Sequence, residues 1–330
     1  MTGGLARRVL GHSGPEVGAL ALGTMMFGRW GNSDRHACRR MVDIALDAGI
    51  DLLDTADIYD FGVSEEIVGA AIAGRRDRVV LATKVGNAMS DDPADRGLSR
   101  RWIHASCDAS LRRLGVDHID VYQMHRPDPD TPLEESVAAF DELVGAGKIG
   151  AVGTSTFPAA ELAEIQELAS DRGWVRPTSE QPPYSVFVRG IETVVLPTCR
   201  RHGIGVLVWA PLNGGWLTGK YQHDDLDPTS RARREPDHFD HRDAAMRATK
   251  QQLVDRLAAV AADAGLSLSQ LALGFILANP DVTAVLLGPR TPEQLIALLD
   301  PMPVPLTPDV LAAIDAIVPP GTNVNPADAM

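Results

Sequence analysis

Short apolar runs alternate along this chain with longer stretches in which apolar residues recur at helical spacing. The runs are Ile50–Leu53, Val79–Ala82, Ile119–Tyr122, Ala151–Gly153, Gly205–Trp209 and Val282–Leu287; weaker strands at Ala19–Leu22 and Thr178–Glu180 bring the number to eight. Between them the periodicity predicts helices over Asp34–Ala48, Ser64–Ala73, Ser99–Leu114, Leu133–Ala146, Pro158–Arg172 and Arg189–His202, many opened by the Ser, Asp or Pro that helix N-termini favour. Repeated strand-helix alternation predicts an α/β fold, a closed parallel (β/α)8 TIM barrel. Ahead of it, Arg8–Leu10 and Val17–Leu22 flank the Gly-rich turn Gly11–Gly14 and predict an N-terminal β-hairpin. Behind it, the Pro-rich stretch Pro301–Pro308, a short helix near Asp309–Val318 and the tail Pro319–Met330 form a C-terminal extension.

An open, doubly wound sheet is the competing architecture, but the first strand-to-helix turn lacks its dinucleotide fingerprint. Gly145-Ala146-Gly147-Lys148-Ile149-Gly150 matches GxGxxG letter for letter, yet it follows a helix and leads into a strand, the reverse of a phosphate loop. Tyr221–Asp243 breaks the rhythm: it is strongly charged and too long for an ordinary connection, and reads as a lid or mobile loop.

Composition narrows the picture further. With 330 residues, 45% hydrophobic and 23% charged, the chain can bury a large core, and no linker divides it, so residues 1–330 are read as one domain. A net charge of −13 without a cationic stripe argues against nucleic acid or an anionic membrane as partner. Cys38, Cys107 and Cys199 are far apart and odd in number, which suits a reducing cytoplasm and buried thiols. Met1–Leu10 lacks a signal-peptide core, and no apolar run reaches the ~18 residues of a membrane span, so a cytoplasmic location is expected. His238 and His241 have His-x-x-His spacing, with His223 nearby, but nothing supports them as ligands, and no metal is expected.

The candidate chemistry lies where polar residues end the apolar runs: Asp54, Lys84, His125, Ser155 and Gln181. The C-terminal ends of barrel strands converge on one mouth, so residues tens of positions apart become neighbours there. Tyr59, five residues beyond Asp54, can lean into the same mouth.

These residues carry a resemblance. Leu53-Asp54-Thr55-Ala56-Asp57-Ile58-Tyr59, Ala82-Thr83-Lys84 and Asp120-Val121-Tyr122-Gln123-Met124-His125-Arg126-Pro127 resemble the aldo-keto reductase signatures. So do Glu180-Gln181-Pro182-Pro183-Tyr184, Trp209-Ala210-Pro211-Leu212, Gly219-Lys220-Tyr221 and Gly288-Pro289-Arg290-Thr291-Pro292-Glu293-Gln294, in order over Leu22–Leu299. The likeness is to the potassium-channel β-subunit-like branch of that superfamily.

The resemblance implies an NADPH-dependent reductase of a small-molecule aldehyde or ketone. Tyr59 would be the general acid, its phenol made more acidic by Lys84, with Asp54 holding the lysine and His125 orienting the carbonyl. Trp209 would stack on the nicotinamide while Ser155 and Gln181 bond its carboxamide. Thr24, Met25, Thr156, Ala210, Pro211, Leu212, Gly214 and Gly288 fall at further cofactor positions. Lys220, Arg231, Arg290 and Gln294 would meet the pyrophosphate and 2′-phosphate, which favours NADPH over NADH. Two departures stand out: Thr156 replaces the family's usual Asn after Ser155, and Ala297-Leu298 replaces a Glu-Asn pair near the adenine. A keto-sugar reductase of a deoxysugar pathway and a non-catalytic NADPH-sensing protein are the alternative readings.

Overall fold

The computed structural model describes residues 5–221, 231–234, 242–300 and 304–329. Two short antiparallel strands come first, β1 (Arg7–Val9) and β2 (Glu16–Gly18). Eight parallel strands then close a barrel: β3 (Leu20–Gly23), β4 (Leu52–Asp54), β5 (Val80–Val85), β6 (Ile119–Met124), β7 (Ile149–Thr154), β8 (Ser179–Glu180), β9 (Gly205–Val208) and β10 (Ala284–Leu287). They pair in sequence order, and β10 closes onto β3. The helices around them are α1 (Arg35–Asp47), α2 (Val63–Ile72), α3 (Arg100–Leu114), α4 (Leu133–Gly145), α5 (Ala159–Arg172) and α6 (Val195–His202), followed by the single turn α7 (Arg231–Arg234), then α8 (Ala244–Asp263), α9 (Leu268–Ala278), α10 (Pro292–Leu299) and α11 (Pro308–Ile317).

Period-two alternation sorts the strand residues into two cores. Leu22, Leu53, Leu81, Tyr122, Val152, Val206 and Leu287 face outward onto the helices. Ala21, Leu52, Ala82, Val121, Ala151, Leu207 and Ala284 face inward and fill the barrel. Leu10 and Val17 of the hairpin belong to this inner cluster, so the hairpin is the floor of the barrel, not a separate appendage. Gly11 makes that approach possible: a Cβ there would stand 2.0 Å from the Thr178 carbonyl oxygen, and its φ of +69° suits glycine.

Two expectations need correction. The run Val17–Leu22 is not one strand: β2 ends at Gly18, Ala19 N–H turns to the Ala6 carbonyl, and β3 starts afresh at Leu20. The helix expected over Arg189–His202 is a 3-10 turn, Gly190–Glu192, followed by α6. Pro197 explains this, since proline is tolerated only in the first turn of a helix and so forces the start to Val195. Gly145–Gly150 spans the end of α4 and the start of β7, as its context required. Most of Tyr221–Asp243, including His223, His238, His241 and the Arg231 side chain, lies outside the described residues. Cys38, Cys107 and Cys199 are buried free thiols. Among the described residues no single helix is long and apolar enough to cross a membrane, and no group of His, Cys, Asp or Glu is placed to hold a metal ion.

Candidate active site

Strand register builds the centre of the mouth. Asp54 is the last residue of β4 and pairs with Ala82; two residues on, Lys84 projects from the same face of β5 and pairs with Gln123 of β6. Above the small inward residues the barrel therefore changes from apolar to polar within one layer. Lys84 Nζ donates to Asp54 Oδ2 at 2.6 Å, to the Thr55 carbonyl at 2.8 Å and to Tyr59 Oη at 3.2 Å. The other carboxylate oxygen of Asp54 accepts from Gln123 Nε2 at 3.1 Å and Gln181 Nε2 at 2.8 Å. All the charged atoms of this buried ion pair thus have partners, the condition under which burying one is tolerable. Gly153 makes room for it, because a Cβ there would meet Gln123 Cγ at 2.8 Å.

Burial and charge set the protonation states. Although burial disfavours its cation, Asp54 and Tyr59 raise the Lys84 pKa, so the ammonium is kept. Burial raises the Tyr59 phenol and outweighs the lowering by Lys84. The expectation of a net more acidic phenol is therefore corrected: Lys84 pulls in the expected direction, and desolvation wins. His125, just past β6, stands edge-on to Tyr59 with ring centroids 5.9 Å apart. Burial, with Lys84 and Arg126 adding to it, holds its pKa well below the usual imidazole value. Its Nδ1 faces the Asn87 amide nitrogen at 3.1 Å, so in the neutral ring Nδ1 accepts and Nε2 carries the proton.

The remaining predicted residues ring this centre. Thr24 is buried past β3, and its hydroxyl meets the Asp54 carbonyl oxygen (3.0 Å) and Ser64 Oγ (3.1 Å), bracing strand ends to α2; Met25 is half-buried beside it. Ser155 Oγ donates to the Gln181 carbonyl at 2.9 Å, and Gln181 Nε2 is committed to Asp54 and Gln123, which leaves Gln181 Oε1 as the acceptor at the mouth. Thr156 has a φ of +58°, unusual for a β-branched residue, and its hydroxyl accepts from Arg126 Nη1 at 2.7 Å.

Trp209 follows β9 half-buried; its indole N–H is enclosed without a protein partner, and the Arg126 guanidinium lies 5.7 Å from its ring centroid. After it, Ala210, Pro211, Leu212 and Gly214 form a tight loop with left-handed backbone at Ala210, Asn213, Gly214 and Gly215. Exposed Lys220 closes that loop. Gly288, just past β10, is exposed, with no atom within 4 Å of where a Cβ would stand. Arg290 N–H donates to Gln294 Oε1 at 2.8 Å, at the start of α10. Ala297 and Leu298 lie further along that helix.

Several residues at the mouth carried no assigned role in the sequence reading. Gln123 had a signal, being two residues before His125 and so on a shared strand face. Asn87 and Arg126 had none; they flank His125 and border a cavity of about 600 Å³ between the loops after β5 and β6. Trp30 packs 6.5 Å from Tyr59, between ring centroids.

Comparison with known proteins identifies the family. The model of the aldo/keto reductase family matches residues 19–319. The chain is 38% identical over 321 residues to the uncharacterized oxidoreductase YrpG of Bacillus subtilis (strain 168), covering 94% of this chain and 95% of the relative. It is 35% identical over 320 residues to a probable voltage-gated potassium channel subunit beta of Oryza sativa subsp. japonica, covering 94% and 95%. It is 37% identical over 302 residues to the aldo-keto reductase YhdN of Bacillus subtilis (strain 168), covering 88% and 86%.

Proposed function

The chain belongs to the aldo/keto reductase family, and we propose that it reduces the carbonyl of a small aldehyde or ketone to an alcohol, with NADPH as the reductant. One observation carries the reading: a protonated phenol, Tyr59, stands 3.2 Å from the ammonium of Lys84, itself locked to Asp54 at 2.6 Å, beside a neutral His125.

Reduction places negative charge on the carbonyl oxygen as the carbon gains a hydride, so a donor must meet that oxygen in the transition state. Tyr59 Oη gives its proton there, and His125 Nε2–H fixes the oxygen's direction. Lys84, kept cationic, stabilises the phenolate that remains. Asp54 holds the lysine in place, and the amides of Gln123 and Gln181 hold Asp54. NADPH, when bound, supplies the hydride.

The residues present fit such a cofactor. The enclosed, unpartnered indole N–H of Trp209 and the open space at Gly288 suit a bulky polar ligand along one side of the mouth. Trp209 would give a flat face to the nicotinamide, Ser155 and Gln181 Oε1 would bond its carboxamide, and Thr156, Thr24 and Met25 would border it. Ala210, Pro211, Leu212, Gly214 and Lys220 would follow the pyrophosphate. Arg290, with Arg231 and Gln294, would meet the 2′-phosphate and favour NADPH over NADH, since a guanidinium matches a phosphate dianion in charge and shape.

The test is NADPH consumption by wild type and Tyr59→Phe against activated aldehydes, α-diketones and keto sugars. Wild-type turnover is expected, with a loss of roughly 10²-fold or more in the variant and NADPH binding retained. The likeness to proteins named potassium channel β subunits supports a second reading, a nucleotide-sensing binding protein. NADPH binding without turnover of any carbonyl would favour it.

A further inference from the structure

Tyr59 opens a turn that is costly to make. Asp60, Phe61 and Gly62 have φ of +49°, +54° and +92°, one left-handed turn in which two of the three residues carry a Cβ. A bulky side chain in that region is a true outlier, tolerated when the surroundings impose it. Here they do. The buried carboxylate of Asp60 accepts from Arg29 N at 2.8 Å and Arg29 Nε at 2.9 Å, and Gly28 clears the way, since a Cβ there would stand 2.5 Å from Asp60 Oδ2. The loop after β3 thus clamps the turn after β4.

What the clamp displays is an aromatic ring in water. Phe61 is 54% exposed. Among the described residues the other large exposed apolar side chains are Val9, on the hairpin of the floor, Val194, before α6, and Ile296, on α10; Phe61 is the one adjoining Tyr59. Trp30, on the clamping loop, meets Phe61 edge-on at 6.2 Å and 80°, and Tyr59 at 6.5 Å and 60°; Tyr59 in turn meets His125 at 5.9 Å. In a chain that is only 5% aromatic, Phe61, Trp30, Tyr59 and His125 form one continuous arc. A strained turn that exposes a phenyl ring gains nothing from folding alone, so its partner is sought in what enters the mouth.

We propose that Trp30 and Phe61 form a substrate subsite that selects carbonyl compounds carrying an aryl substituent. With the carbonyl oxygen directed to Tyr59 and His125, a flat ring attached to that carbon lies against the arc, where stacked and edge-to-face contacts are favourable. The inference rests on the carbonyl-reductase reading and refines its substrate class.

The experiment compares 4-nitrobenzaldehyde with pentanal as substrates of wild type, Phe61→Gly and Trp30→Leu, reading the aryl-to-alkyl ratio of kcat/KM. Intrinsic reactivity cancels when each variant's ratio is divided by that of wild type. The ratio is expected to fall about tenfold in each variant, the scale of discrimination that one apolar contact surface provides. Phe61→Gly should keep or raise Tm, because glycine takes a positive φ without strain, so a fall in the ratio there cannot be laid to misfolding. An unchanged ratio in a wild type that turns over both aldehydes overturns the subsite alone. A wild type that oxidises NADPH with neither aldehyde nor any other carbonyl overturns the reductase reading and the subsite with it.

Discussion

Burial acts on Tyr59, His125 and Lys84 alike, yet leaves only one of them charged. It raises the phenol, lowers the imidazole, and is outweighed at the ammonium by Asp54 and Tyr59. Of these three, Lys84 alone is therefore charged at neutral pH, next to two neutral donors. For His125 the folded value is depressed, so the ring takes a proton only well below its ordinary value of about 6.5. The kcat/KM profile of the free enzyme should accordingly show no acid limb near pH 6.5. A limb there that vanishes in His125→Asn would contradict the neutral assignment. At this scale the meeting of Asp54, Tyr59, Lys84 and His125 at one mouth was legible because strand ends converge in a barrel. The net shift of Tyr59 was not, since a sequence names the neighbouring cation but not the depth of burial. Asn87, Trp30 and Phe61 escaped for the same reason: their roles depend on loop conformation, which carries no period.

Elements meet at places that spacing does not disclose. Lys250 of α8 is fully buried, and its ammonium donates to Asp328 Oδ2 at 2.7 Å and Asn213 Oδ1 at 3.1 Å, while Asn213 Nδ2 donates to the same carboxylate oxygen at 2.9 Å. Three remote segments are joined: a helix, the loop after β9 and the C-terminal 3-10 turn Pro326–Ala329. Nearby, Arg189 Nη1 binds Asp315 at 2.7 Å and the Val318 carbonyl at 2.6 Å, and Val188 bridges Asn323. The sequence showed an extension and its helix, and left unread what the tail touches. Asp328→Ala would leave the buried lysine without its counter-charge, and such losses cost about 3–5 kcal/mol. Urea unfolding should show that drop; a change below about 1 kcal/mol, the scale of an exposed pair, would mean that the clamp carries little.

The stability of the whole molecule depends on pH through two buried carboxyls, Asp57 and Glu180, that adjoin the mouth residues along the chain. Burial, with Glu65 adding to it, raises Asp57 to about 7, and burial raises Glu180 to about 7. Both carboxyls hold a proton in the folded chain over a range in which the unfolded chain has released it. The unfolded state thus binds fewer protons between about pH 4 and pH 7, and these two groups make stability fall as pH rises through that window and level off above it. Asp57→Asn should remove its share, so the stability of the variant relative to wild type rises from pH 4 to pH 7 and is constant beyond. A difference independent of pH would show that Asp57 ionises normally. The barrel itself was readable from alternation alone, strand by strand. That its hairpin serves as a floor was not, because Leu10 and Val17 reveal their partners only once the eight strands have closed.

That floor makes the barrel a cup and not a tube. Leu10 and Val17 seal one end with fully buried side chains, while Tyr59, Lys84 and His125 sit at the other. On the proposed reaction, traffic uses the end opposite the floor: the aldehyde arrives by it, the alcohol departs by it, and the proton that recharges Tyr59 follows the same route. Among the described residues the floor closes the way through the barrel axis, so a molecule lodged at the rim stands in the path of arrival, departure and recharging together.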